Sequence, residues 1–181
     1  MSGSGAALFR HLYETYYRNV YAYCRRRTNA DSVDDLVADV FLTVWRRIAD
    51  APPGDAELAW LYRIAYHHAG NHWRRTSRQM KLGERLESIG IQAVPLVQDL
   101  IVVRDDVRQV LVAAQNLRER DVEVLRLSLW EHLSSDDIAD VLDVTPNAAK
   151  QRLHRARNNL VREYERAYRS GTAAVERRGE L

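Results

Sequence analysis

A single cysteine, Cys24, is all that a chain of 181 residues holds, which excludes an internal disulfide and a cysteine-based zinc site. Lysine is almost as scarce, with Lys81 and Lys150 standing against many arginines. No apolar run approaches the ~20 residues that a membrane helix needs. The opening MSGSGAALFRHLYE is not built like a secretory signal. These absences lead to the expectation of a soluble, cytoplasmic protein without membrane insertion. A glycine-rich phosphate loop is missing, and no nucleophile–base constellation is legible. Neither a cofactor nor catalysis is therefore expected.

Strand patterning is lacking too, and apolar residues recur at helical spacing along nearly the whole chain. Leu8 to Arg27 places Leu8, Leu12, Tyr16, Val20 and Tyr23 on one face. Asp31 to Ala49 carries a cleaner stripe of Val33, Val37, Val40, Phe41, Val44 and Ile48. APPGD at Ala51–Asp55 stops it, since prolines and glycine break helices. A third helix is expected over Glu57–Arg75. Periodicity then fades around Gly83, Gly90 and Pro95 and returns near Leu100, with Val103, Val107, Val110, Leu111, Ala114 and Leu117 on one side. Further helices are expected over Asp121–Leu129, Ser135–Leu142 and Pro146–Tyr168, with a frayed ending. The expected fold is all-α: two small helical domains, residues 6–78 and 101–168, joined by a flexible linker, 79–100, and followed by a disordered tail, 169–181.

Net charge is only +2, but it is unevenly spread. Leu58–Gly83 contains no acid and carries Arg63, Arg74, Arg75, Arg78 and Lys81. Val144–Arg162 is likewise acid-free and carries Lys150, Arg152, Arg155, Arg157 and Arg162. Two cationic patches in a nearly neutral protein suggest two contacts with a polyanion.

The second patch lies in LSSDDIADVLDVTPNAAKQRLHRAR, which has the signature of a helix-turn-helix. Ser134 or Ser135 caps a short helix whose Ile138, Ala139 and Leu142 face inward. Asp143 takes the turn position where glycine would be easiest, and Val144 plugs the core. Thr145 caps the next helix with Pro146 at its first position. Ala149, Leu153, Ala156, Leu160 and Tyr164 form the inner face. Asn147, Lys150, Gln151, His154, Arg155 and Asn158 point away, a set suited to base edges and phosphates.

In the N-terminal half, Asp35, Ala38, Asp39, Leu42 and Arg46 share the face opposite the apolar stripe. A leucine framed by carboxylates fits either a protein-docking patch or a plain solvated face. On the third helix Arg63, Tyr66, His67, Gly70, Trp73 and Arg74 interleave cations with aromatics, which suits stacking on unpaired bases; packing against another element competes for Trp73. His68 and His72 have the i, i+4 spacing of a metal pair but face the expected core with no acid or cysteine in the segment. A packed histidine pair is the expectation.

DLVADVFLTVWRR, AWLYRIAYHHAGNHWRR and LRERDVEVLRLSLWEHLSSDDIADVLDVTPNAAKQRLHRAR, in this order, resemble the extracytoplasmic-function (ECF) group of bacterial RNA polymerase sigma factors. The resemblance covers Phe9–Arg78 and Val103–Tyr164. It implies an alternative sigma factor that binds core RNA polymerase, at the clamp helices of the largest subunit and at the flap region, and opens promoter DNA without catalysis. By the resemblance, Asp35, Ala38, Asp39, Leu42 and Arg46 would contact the polymerase. Asp55, Arg63, Tyr66, His67, Asn71 and Arg74 would read the unwound −10 element, and Asn147, Lys150, Gln151, Arg152, His154 and Arg155 the −35 element. An anti-sigma factor is a further partner that the resemblance raises. Ala38 stands where glutamine is frequent, APPGD lacks the aromatic often found in that loop, and His67 replaces a common asparagine. A stand-alone helix-turn-helix regulator of duplex DNA is the competing reading, but it leaves the N-terminal faces without a role.

Overall fold

A computed structural model describes residues 3–83 and 105–178, with side chains over 4–72 and 109–168. Seven helices follow one another among the described residues: α1 (Gly3–Arg25), α2 (Val33–Arg46), α3 (Ala56–Gly83), α4 (Asp105–Gln115), α5 (Glu119–Leu129), α6 (Ser135–Leu142) and α7 (Pro146–Arg178). No strand occurs among them. The chain divides into two compact units, one built on α1–α3 and the other on α4–α7.

In the first unit α1, α2 and α3 all pack on one another. The expected apolar stripes meet there: Leu12, Val20 and Tyr23 from α1, Val37, Val40 and Val44 from α2, and Leu61, Ile64 and Ala65 from α3 are all buried. Tyr23 stacks on Tyr62 at 5.0 Å, so aromatic contact adds to burial where α1 meets α3. Glu57, buried in the first turn of α3, sits where a helix N-terminus favours negative charge. His11 Nε2 lies 3.4 Å from its Oε2. Helix is interrupted on both sides of α2 by 3-10 turns, Ala30–Ser32 and Ile48–Asp50. At Arg47 one N–H is shared between the Thr43 and Val44 carbonyls, which tightens the last turn and ends the helix before Ala49. In the APPGD loop, Gly54 takes φ +66, a conformation glycine reaches without strain.

In the second unit α7 packs on both α4 and α5. Ile138 and Ala139 on α6, and Ala149, Leu153 and Ala156 on α7, are buried as the helix-turn-helix pattern requires. Ser134 supplies the cap of α6: its Oγ accepts from the Asp137 N–H at 3.1 Å, while its own N–H donates back to Asp137 Oδ2 at 3.2 Å. This reciprocal pair is a capping box. Thr145 Oγ1 accepts from the Ala148 N–H at 3.2 Å and so caps α7. Asp143 adopts φ +54 at the turn, and the Val144 N–H closes it on the Ala139 carbonyl.

Several expectations change. Val144 is half-buried rather than a sealed plug. Val110 is exposed, while Leu111 and Ala113 on the same helix are buried, because burial follows tertiary neighbours and not helical period alone. α3 continues to Gly83, so 79–83 of the expected linker are helical, and 84–100 lie outside the described residues. α7 continues to Arg178, where a disordered tail was expected from 169. The run TAAVERR contains no proline, and most of its residues are good helix formers, so propagation beyond Gly171 costs little once α7 is anchored by its first turns.

Candidate functional site

Asp35, Ala38, Asp39, Leu42 and Arg46 are all exposed on one face of α2. Leu42 keeps 46 % of its surface in water, so this face is not consumed by the fold. Beside it an open groove of 640 Å³ runs between α1 and α2. Ala6, Phe9, Arg10 and Tyr13 line one side, and Ala38, Phe41, Leu42 and Trp45 the other. Phe9 meets Trp45 edge-on at 5.1 Å, and Tyr13 meets Phe41 at 4.8 Å. The α1 contribution is absent from the sequence-derived set, although aromatics at i, i+4 and i+8 from Phe9 to Tyr17 were a visible signal. Ala38 lines this apolar groove.

On α3, Arg63 and Tyr66 are half-buried, while His67 and Asn71 are exposed on the side away from the core. Asn71 therefore belongs to the outward face. Asp55 is exposed just before the helix begins. The side chains of Trp73 and Arg74 lie outside the described residues. His68 is half-buried and its Nε2 lies 2.8 Å from Thr43 Oγ1. Burial pushes its pKa below the usual histidine value; the charge of Asp39 opposes that shift and His67 adds to it. No group of three or more potential metal ligands occurs among the described residues.

On α7, Asn147, Lys150, Gln151, Arg152, His154 and Arg155 are all exposed. Asn158 Nδ2 lies 3.1 Å from His154 Nε2. Lys150 Nζ lies 3.9 Å from Asp136 Oδ1; with both ends in water this pairing is weak and yields readily to another anion. A cleft of 660 Å³ opens along the flank of the same helix. Arg118 and Arg120 from the start of α5 meet Arg152, Arg155, Arg162 and Arg166 from α7 there, against the acids Asp121 and Glu163. Arg152 thus lines the cleft flank. Arg118 and Arg120 lay outside the sequence-derived set because only folding brings that turn beside α7.

Residues 12–79 match sigma-70 region 2, and residues 108–160 match sigma-70 region 4. The chain belongs to the sigma-70 family, in its ECF group. This sigma factor is 28 % identical over 155 residues to RNA polymerase sigma factor YlaC of Bacillus subtilis, covering 82 % of this chain and 87 % of that one. It is 30 % identical over 135 residues to RNA polymerase sigma factor CnrH of Cupriavidus metallidurans, covering 71 % of each chain. A solved structure of the sigma factor RpoE with the anti-sigma factor NepR, from Bartonella quintana, shares its fold. The TM-score is 0.64 at 21 % identity, over 87 % of this chain and 96 % of that one. The protein is an alternative sigma factor directing transcription initiation, and the stand-alone duplex regulator is the poorer account.

Proposed function

We propose that the first unit docks on the clamp helices of the polymerase largest subunit and opens the −10 element, and that the second unit reads the −35 element as duplex. Residues 6–78 and 101–168 are the two functional domains, with the connection between them in 79–100. Docking uses Asp35, Ala38, Asp39, Leu42 and Arg46 together with the α1–α2 groove, whose apolar floor and acidic flank suit a partner helix carrying apolar and basic side chains. Asp55, Arg63, Tyr66, His67, Asn71 and Arg74 hold the unwound non-template strand. Asn147, Lys150, Gln151, His154 and Arg155 enter the major groove. Arg152, with Arg118 and Arg120, neutralises phosphates along the groove edge.

The observation that carries this reading is the exposure of three chemically distinct faces on α2, α3 and α7. A protein binding duplex DNA alone has no use for the first two. Exposed Leu129 and Trp130, at 53 % and 40 %, support an apolar contact of the second unit with the flap region. The protein performs no bond-making step, and it acts in the cytoplasm, where the polymerase is. CnrH is known in complex with the cytosolic domain of CnrY, and the Bartonella quintana relative with NepR; an anti-sigma factor is the corresponding expected regulator here.

Run-off transcription with core polymerase on a library of host upstream regions tests the proposal. Transcripts that appear only with this protein support it, and their shared upstream sequences supply both elements. Absence of transcripts together with absence of core binding overturns it.

A further inference from the structure

The buried side chains of α2 and α3 are largely apolar, with Val40 and Val44 on one helix and Leu61, Ile64 and Ala65 on the other. Apolar burial is non-directional, so it holds two helices together without choosing finely among nearby registers. A directional link joins this pair: Thr43 Oγ1 and His68 Nε2, 25 positions apart in the chain, lie 2.8 Å apart. A slide of one residue moves a helix by about 1.5 Å along its axis, enough to break a bond of that length. The link also works with either ring tautomer, since a hydroxyl can donate to the bare nitrogen or accept from the protonated one.

Both residues border the functional faces. Thr43 follows Leu42 on the docking helix, and His68 follows His67 on the strand-reading helix. We infer that His68 is a positioning residue for promoter opening: its hydrogen bond to Thr43 sets the register of α3 on α2. It thereby sets where His67 and Asn71 stand relative to Asp39 and Leu42. Docking fixes α2 on the polymerase, so an error in register is passed to the bases that α3 must hold. The inference rests on the docking and strand-reading roles proposed above.

The test uses the full chain with core polymerase and three variants, Thr43→Val, His68→Leu and His68→Gln. Valine matches threonine in shape without the hydroxyl, leucine fills the histidine site without a polar atom, and glutamine carries an amide toward Thr43. Core affinity, thermal unfolding and the rate of strand opening at a 2-aminopurine-labelled −10 element are measured on a promoter recovered from run-off transcription. Thr43→Val and His68→Leu are expected to slow opening roughly two- to tenfold, the weight of one hydrogen bond, with core affinity unchanged. His68→Gln is expected to restore most of the rate. Opening at the wild-type rate in the first two variants overturns the inference and leaves the sigma-factor roles standing. Slowing in all three variants, in proportion to lost thermal stability, also overturns it, since that is the mark of a purely structural residue. A wild-type protein that binds no core polymerase overturns the docking role, and the inference with it.

Discussion

His68 carries a pH dependence whose sign follows from its surroundings. Burial holds its pKa below the ordinary value, with Asp39 opposing and His67 assisting, so the folded state favours the neutral ring. Its contribution to stability is therefore complete above the unfolded pKa near ~6.5. That contribution is lost as pH falls through the lower folded value. Thermal unfolding of the wild type and of His68→Leu, compared from neutral pH downward, should show the wild type losing stability faster. Parallel curves would contradict the assignment. A second residue-scale prediction concerns Arg126, which is only 1 % exposed. Its Nη1 lies 3.3 Å from Glu119 and 3.8 Å from the buried Glu123. Arg126→Ala leaves a carboxylate buried without this cation and should cost about 3–5 kcal/mol. Hydrogen exchange of the α5 amides is the measurement, and protection equal to wild type would refute it.

Among the elements, the proposed roles of α2 and α7 can be separated by mutation. Asp39→Arg with Leu42→Arg inverts the charge of the exposed α2 face and removes its apolar centre, while leaving the buried stripe untouched. Core-polymerase affinity should fall by roughly 30-fold or more, the scale of an interface hot spot, with helicity by circular dichroism unchanged. Lys150→Ala with Arg155→Ala acts on α7 instead. Base contacts are each worth about 1–3 kcal/mol, so transcription from promoters that need the −35 element should collapse while core affinity holds. Loss of core binding in the α7 variant would contradict the division of labour. Much of this was legible in local pattern: Ser134, Asp143 and Thr145 take the cap and turn positions expected of them, because capping depends on residues within four positions. The extent of α7 was not, because Gly171 reads locally as a stop and continuation past it depends on the anchored turns before it.

Across the molecule, charge distribution matters more than its total of +2. Each phosphate neutralised releases counterions, so holoenzyme–promoter affinity should fall steeply with salt. Arg120→Ala, in the cleft beside α7, should reduce the slope of log affinity against log salt by about 1 and weaken binding alike across promoter sequences. A change confined to one sequence would place Arg120 at a base edge instead. The helices, the capped turn and the two acid-free cationic faces follow from the chain read in order, since each rests on neighbours one to eight positions away. The apolar groove where Phe9 and Tyr13 meet Leu42 and Trp45, the arginine cleft between the start of α5 and α7, and the pairing of Thr43 with His68 could come only from the folded protein. Each joins residues about 25 or more positions apart, and helical period specifies which side of a helix is apolar without specifying which helix will cover it.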